Sequence, residues 1–360
     1  MDFSQYAAAN PEWEHYLSQH PNLSNATSTP LIAPDDWKSL SAIRAAANAG
    51  RVQWSDRQIT SNHLYGKFTT ADHEIVTRNG KTIPLRAYYP NTEDEHYSLP
   101  AYLHLHGGGF LNGSLDTETL ICVQIAVSLN LVVLHPEYRH THEISFPTPH
   151  EDVWDAFEWI HANASVLRCR LDRLVVGGQS AGSGLAASLT QREVELSGRE
   201  SRKGRIHGQV LTIPWLMHPD AFPYRDFVDR DKISQVQCAD AVGLSTMKLD
   251  WFASLLRATN PRDITLNPGL RRGDELTGVP RAAFLVAGGD PLRDQGLYYA
   301  RSLENAGIPT KVHVFPAMPH TFRSLEGLPP ADIFMQRLLE SVRWAISDEQ
   351  TSGSEWHVER

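Results

Sequence analysis

The sequence predicts an α/β fold: a mostly parallel central sheet flanked by helices, with a helical cap across one end. Three observations predict it. Short apolar runs at Ala101–Leu105, Leu131–Leu134, Leu174–Val176, Val210–Ile213, Ala282–Val286 and Val312–Phe315 read as strands. Helical patterns at Glu151–His161, Ala181–Val194 and Gln295–Ala306 fall between them, and strands this short and apolar, separated by helices, belong to sheets buried on both faces. The stretch from Trp215 to about Arg262 then parts two strands by far more than an ordinary strand-to-helix connection, as lids and binding elements do.

Taken in order, residues 1–67 carry helical and loop patterns with aromatic anchors at Tyr6, Trp13, Tyr16 and Trp37 but no strand alternation, and are expected to form an N-terminal cap segment. At Glu74–Thr77 the pattern changes. That run meets a turn at Asn79-Gly80 and continues into Ile83–Tyr89, which predicts a β-hairpin. The organisation expected is therefore a first core part over 68–214, a cap insertion over 215–262, a second core part over 263–346 and a polar tail over 347–360. Ser24–Pro30 is the other compositionally loose stretch.

A chain of 360 residues with 41% hydrophobic and 21% charged residues has ample apolar material for a large core. Its net charge of -9 argues against a nucleic acid or an anionic membrane surface as partner, and a small molecule fits better. Cys122, Cys169 and Cys238 are odd in number and far apart, so no disulfide framework is expected. No secretory signal and no apolar run long enough to span a bilayer are visible, so a cytoplasmic location is the expectation. Oligomeric state is not legible.

Ligands of open α/β sheets sit at the carboxyl ends of the strands, where the chemistry should be sought. Leu174–Val176 runs into Gly178-Gln179-Ser180-Ala181-Gly182 and then into a helix-prone stretch. The turn must be sharp, so side chains at positions 178 and 182 would collide with neighbours while Ser180 is lifted above the sheet. The plainer reading of Ser180 is a helix N-cap. After Ala101–Leu105 comes His106-Gly107-Gly108-Gly109-Phe110, whose bare amides suit a developing oxyanion. At this composition His-Gly-Gly-Gly is expected by chance only about 0.005 times, which disfavours a merely flexible loop.

Ala282–Val286 leads to Gly289-Asp290-Pro291-Leu292-Arg293-Asp294. An imidazole that accepts a proton needs a carboxylate on its other nitrogen. Asp290 leaves the strand first and is the candidate acid, while Asp294 is expected to cap the following helix. Of the two histidines near Val312–Phe315, His313 lies within the strand alternation, and His320 follows in a loop bent by Pro316 and Pro319 from which it could reach Ser180. The chain order Ser180, Asp290, His320 is that of α/β-hydrolases, and not of chymotrypsin or subtilisin. His104, His106, His135, His140, His142 and His150 look like a metal cluster, yet no His-Glu-x-x-His or paired cysteine pattern accompanies them, so packing is the expectation and no metal is assigned.

Together these residues resemble the hormone-sensitive lipase family of esterases, from about residue 70 to residue 345. The resemblance is carried by His106–Gly109, Gly178–Gly182, Asp290–Gly296 and Pro319–Phe322, with Tyr138-Arg139, Glu143 and Phe146-Pro147 in support. Pro214-Trp215 and His218-Pro219 are most similar to fungal members. The resemblance implies an α/β-hydrolase fold, a triad of Ser180, Asp290 and His320, an oxyanion hole of the Gly107, Gly108 and Ala181 amides, and no cofactor. Gln179 stands where the family has an acidic residue, Ser183 where it has glycine, and His140-Thr141-His142 where it has Leu-Ala-Pro.

The activity expected is hydrolysis of a small, largely apolar carboxylic ester through an acyl-enzyme, with Phe110, Trp215 and Leu216 near the substrate. A second reading is a natural-product tailoring enzyme that opens lactones, transfers acyl groups, dehydrates or cyclises at the same site. A third is a non-catalytic receptor of the gibberellin-receptor kind, which a complete set of Ser180, Asp290 and His320 disfavours.

Overall fold

The computed structural model describes residues 1–23, 32–91, 98–349 and 353–359. The Ser24–Pro30 stretch singled out above lies outside them, as does part of the tail. Strands β1 (Phe68–Val76), β2 (Thr82–Pro90), β3 (Leu99–Leu105), β4 (Val132–Pro136), β5 (Cys169–Gln179), β6 (Gly208–Thr212), β7 (Ala282–Ala287), β8 (Thr310–Phe315) and β9 (Glu355–Val358) form one sheet in the order β1-β2-β4-β3-β5-β6-β7-β8-β9. β1, β2 and β4 pair antiparallel and all later pairs are parallel, as expected for a mostly parallel sheet of the α/β-hydrolase fold. The predicted hairpin is the β1–β2 pair, with Ile75 opposite Ile83. Its turn is closed by Gly80 at φ +75°, a conformation glycine adopts without strain.

The helices are α1 (Pro11–Gln19), α2 (Trp37–Ser61), α3 (Thr119–Leu129), α4 (Thr148–Ala162), α5 (Ala181–Arg199), the single turn α6 (Ser234–Gln237), α7 (Thr246–Leu255), α8 (Arg293–Asn305) and α9 (Pro329–Ile346). Neighbouring strand residues serve opposite faces. Leu103, Val176, Leu211 and Phe284 pack with Phe157 of α4, Leu185 and Leu189 of α5 and Leu297 of α8. Tyr102, Val175, Val210 and Leu285 pack with Ile121 of α3 and Phe334, Leu338 and Val342 of α9. Both faces being covered is why the strands read as continuous apolar runs and not as alternation.

Two expectations need correction. Residues 347–360 are not merely a polar tail, because Glu355–Val358 adds β9 parallel to β8. Trp356 packs partly buried against the core with Arg301 over its ring at 4.5 Å; one aromatic among polar neighbours carries too little periodicity to announce a strand. Asp294 does not cap α8 either. Leu292 stands at the cap position, and the buried Asp294 carboxylate accepts from the Ser234 N–H at 2.7 Å and the Arg293 Nε at 2.8 Å, joining α8 to α6.

Candidate active site

β5 delivers Ser180 on a backbone at φ +54°, ψ -118°, immediately before α5. Non-glycine residues rarely sit at positive φ, and such strain persists only where surrounding packing enforces it. The enforcement comes from the two glycines. A Cβ at Gly178 would lie 2.4 Å from the Gly182 backbone, and one at Gly182 would lie 2.0 Å from the Leu105 carbonyl oxygen. Ser183 adds a bond that glycine could not make: its Oγ donates to the Gly178 carbonyl at 2.7 Å and accepts from the Thr212 N–H at 3.0 Å. The start of α5 is thus tied to the ends of β5 and β6.

Three distant loops meet at this turn. The Ser180 hydroxyl lies 2.9 Å from Nε2 of His320, and Nδ1 of His320 lies 2.6 Å from Oδ2 of Asp290. All three residues are at least nine-tenths buried. The remaining oxygen of Asp290 accepts the Leu292 N–H at 2.9 Å, which fixes the carboxylate's orientation.

Beside Ser180 lies the glycine run after β3. A Cβ at Gly107 would be 2.7 Å from the Gln179 carbonyl oxygen and 3.3 Å from the Ser180 Cβ, so that position must be bare. The amides of Gly107, Gly108 and Ala181 donate to no acceptor among the described residues, and neither does that of Gly109. The loop is held from below: Tyr138 donates its hydroxyl to the His106 carbonyl at 2.8 Å, and Asn48 of α2 exchanges two hydrogen bonds with the backbone of Gly113.

A cavity of about 240 Å³ opens over this cluster, lined by Gly107, Gly108, Gly109, Gln179, Ser180 and His320. Its walls include Arg51 and Trp54 of α2, and Leu244, Lys248, Leu249 and Phe252 at and within α7. Phe252 lies directly on the glycine run, since a Cβ at Gly109 would meet its ring at 2.4 Å. Gln179 faces the cavity while its Oε1 is buried without a partner among the described residues.

Of the three residues expected near substrate, only Trp215 lines the cavity. Phe110 is 3% exposed and sits behind it, edge-on to the Trp215 ring at 5.4 Å. Leu216 is fully buried because Gln295 of α8 accepts both its N–H and that of Met217, turning its side chain into the core. Residues next to a motif need not face the site it builds. Arg51, Trp54, Lys248, Phe252 and Arg323 were not legible in advance. The i, i+3 spacing of Arg51 and Trp54 places them on one helix face, but only packing reveals which face that is.

The histidines resembling a metal cluster stack on one another and on aromatics. His106 lies flat on Tyr138 at 4.3 Å, with His135 and His140 rings 5.5 and 5.3 Å away. Burial pushes His106 down to about 3 and holds His135 and His140 well below the ordinary imidazole range, so they are neutral at pH 7. Among the described residues, no group of three or more His, Cys, Asp or Glu could hold a metal ion. Likewise, no helix there is long and apolar enough to cross a membrane.

Comparison with known proteins bears on the fold. A family model described as alpha/beta hydrolase fold matches residues 102–324, which includes the glycine run, Ser180, Asp290 and His320. The chain belongs to the α/β-hydrolase family. Among relatives of this hydrolase, the esterase LipI of Mycobacterium tuberculosis is 31% identical over 86% of this chain and 94% of its own. A versiconal hemiacetal acetate esterase of Dothistroma septosporum is 30% identical over 69% of this chain and 74% of its own. The crystal structure of vibralactone cyclase superposes with a TM-score of 0.84 at 25% identity, covering 96% of this hydrolase and 97% of that chain.

Proposed function

We propose that this α/β-hydrolase is a serine carboxylesterase that cleaves a small, largely apolar ester through an acyl-enzyme intermediate. The observation that carries the reading is the unbroken hydrogen-bonded line Ser180–His320–Asp290 at the floor of a cavity edged by unused backbone amides. Ser180 Oγ attacks the ester carbonyl as His320 Nε2 takes its proton. Asp290 fixes the imidazole tautomer and stabilises the imidazolium. The Gly107, Gly108 and Ala181 amides receive the oxyanion, each worth about 3 kcal/mol in the transition state. His320 then protonates the departing alcohol, and water activated by the same imidazole releases the acid. Esterase names among the relatives support the reading, as does the likeness to hormone-sensitive lipase-type esterases. A closeness to fungal members is supported by the Dothistroma relative, whereas LipI, matching over more of the chain, is bacterial. No step in this scheme calls for a cofactor.

Residues 1–67 and 215–262 act in this reading as a cap over the site, because α2 and α7 contribute cavity walls. A cytoplasmic location is part of the same reading. Ser180→Ala should lower ester turnover by about 10³-fold or more with unchanged circular dichroism. Near-normal turnover in that variant would refute the proposal, as would failure of Ser180 to be labelled by a fluorophosphonate.

A second reading is favoured by the vibralactone cyclase likeness: the same serine performs lactone opening, cyclisation or acyl transfer on a natural product. Labelled water separates hydrolysis from cyclisation or acyl transfer. Incorporation of its oxygen into an acid product marks hydrolysis, of an open-chain ester or of a lactone, and an unlabelled product marks cyclisation or acyl transfer; turnover of a lactone against its open-chain ester tells the two hydrolyses apart.

A further inference from the structure

The chain carries a net charge of -9, yet the cavity over Ser180 is lined by three cations, Arg51, Lys248 and Arg323, and by no carboxylate among the described residues. Two of these cations have a structural task. The Glu118 side chain is fully buried beneath the cavity wall and is shared by Arg51, by Arg323 at 3.4 Å and by His104 at 3.3 Å. Burial alone would raise the Glu118 carboxyl, but Arg323, His104 and Arg51 outweigh it and hold it well below the carboxylate range. Arg51 also donates to the Gly107 carbonyl at 3.4 Å and so props the glycine run. One carboxylate therefore serves two guanidiniums.

Lys248 has no such task. Its Nζ donates to the Gly243 carbonyl at 3.1 Å, and no carboxylate lies within ion-pair distance among the described residues. Burial lowers its pKa and no nearby acid opposes that shift, so the site as it stands penalises the ammonium. An ammonium drawn into a partly dry wall with only a carbonyl for company is unfavourable unless something arrives to pair with it. A neutral ester would leave it unpaired. A ligand bearing one negative charge would complete it, and the remaining walls, Trp54, Trp215, Leu244, Leu249 and Phe252, suit an apolar body.

We propose that the substrate is an ester that also bears a carboxylate, and that Lys248 receives this carboxylate, reinforced by the shared charge of Arg51 and Arg323, while the ester carbonyl lies at Ser180. This rests on the esterase reading above and narrows its substrate class to compact esters with an apolar body and one anionic end. A single lysine beside a half-compensated arginine pair suits a monoanion, and a cavity of about 240 Å³ suits a small one.

The test uses two matched pairs. Monoethyl glutarate against ethyl glutaramate places the charge on the acyl side, and 4-acetoxybenzoate against 4-acetoxybenzamide places it on the alcohol side. Full-length enzyme should show a kcat/KM at least ten-fold higher for the carboxylate in one of the pairs, as a charge-assisted contact predicts. Lys248→Met, with Lys248→Gln as the alternative should the first fail to fold, should cut that preference about ten-fold. Preference for the amide in both pairs, or a preference untouched by either variant, overturns the proposal. Calorimetric titration of the Ser180→Ala protein with the same four compounds keeps the two readings separate. Turnover without carboxylate preference defeats this proposal and spares the esterase. Carboxylate-selective binding without turnover by the wild type defeats the esterase and spares the anion site.

Discussion

Two histidines on the β8 unit each hold a carboxylate on Nδ1, His320 with Asp290 at 2.6 Å and His313 with Glu359 at 2.7 Å. Both are mostly buried. What separates them is the second nitrogen and the place. His320 stands in the loop beyond the strand's carboxyl end, with a serine hydroxyl at 2.9 Å and the cavity alongside. His313 lies within the strand, one in from the sheet's edge, stacked on His357 of the edge strand β9 at 5.1 Å, and Glu359 also serves Arg337 there. A histidine–carboxylate pair is thus not in itself a catalytic device. The proposed mechanism needs, in addition, a strand end that presents the free nitrogen to a hydroxyl held in reach, which His320 has and His313 lacks.

The largest expected effect breaks the pair that matters. His320→Gln should reduce kcat/KM for a simple acyl ester by about 10³-fold or more, and Asp290→Asn should do nearly as much by losing the correct tautomer. Asp294→Asn sharpens the contrast between neighbouring carboxylates. It should cost about 3 kcal/mol in denaturant unfolding, because Arg293 is left buried without its charge partner, while the folded enzyme turns over within a few-fold of normal. A collapse of turnover in Asp294→Asn with Asp290→Asn active would exchange their roles.

An intermediate effect concerns histidines whose rings hydrogen-bond no carboxylate and whose burial outweighs the more distant acids Asp263 and Glu118. Burial pushes His150 down to about 4 and His106 to about 3, both below the ordinary 6.5. Their folded pKa values are depressed, so the unfolded chain binds more protons between the two values. Stability is therefore full above pH 6.5 and is lost as pH falls toward 4 and 3, at about 1.4 kcal/mol per pH unit for each such histidine. Chemical denaturation at pH 6.5 and 5 should show the fall, and His150→Phe should flatten it by roughly one histidine's share. An unchanged slope would mean that His150 does not resist protonation. The smallest effect is at the edge: Glu359→Gln should lower stability by about 1 kcal/mol and leave ester turnover within two-fold, measured on the same preparations.

Much of the site was legible because its chemistry forces particular residues into particular places. A turn that lifts Ser180 above the sheet has no room for side chains at 178 and 182, and an oxyanion needs bare amides, so Gly-x-Ser-x-Gly and His-Gly-Gly-Gly announce themselves. Strand ends then rank Asp290 ahead of Asp294, and His320 ahead of His313. The elements hardest to anticipate obey no such compulsion. β9 is a short edge strand with mostly exposed side chains, and it depends on the β8 backbone for its existence. Phe110 and Leu216, adjacent to functional segments, turn into the core because Trp215 and Gln295 hold them there.

The amino-acid sequence by itself determined the layered α/β plan, the strand-end positions of Ser180, Asp290 and His320, and the glycines that leave their surroundings open, since each follows from local periodicity or from atoms that would otherwise clash. Only the tertiary structure decided which side chains of α2 and α7 look onto Ser180, and that three cations gather there in an acidic protein. The reason is physical: backbone sterics act over a few residues and leave a mark in the sequence, whereas the meeting of Arg51, Lys248 and Arg323 depends on how whole helices pack, to which their own neighbours along the chain are indifferent.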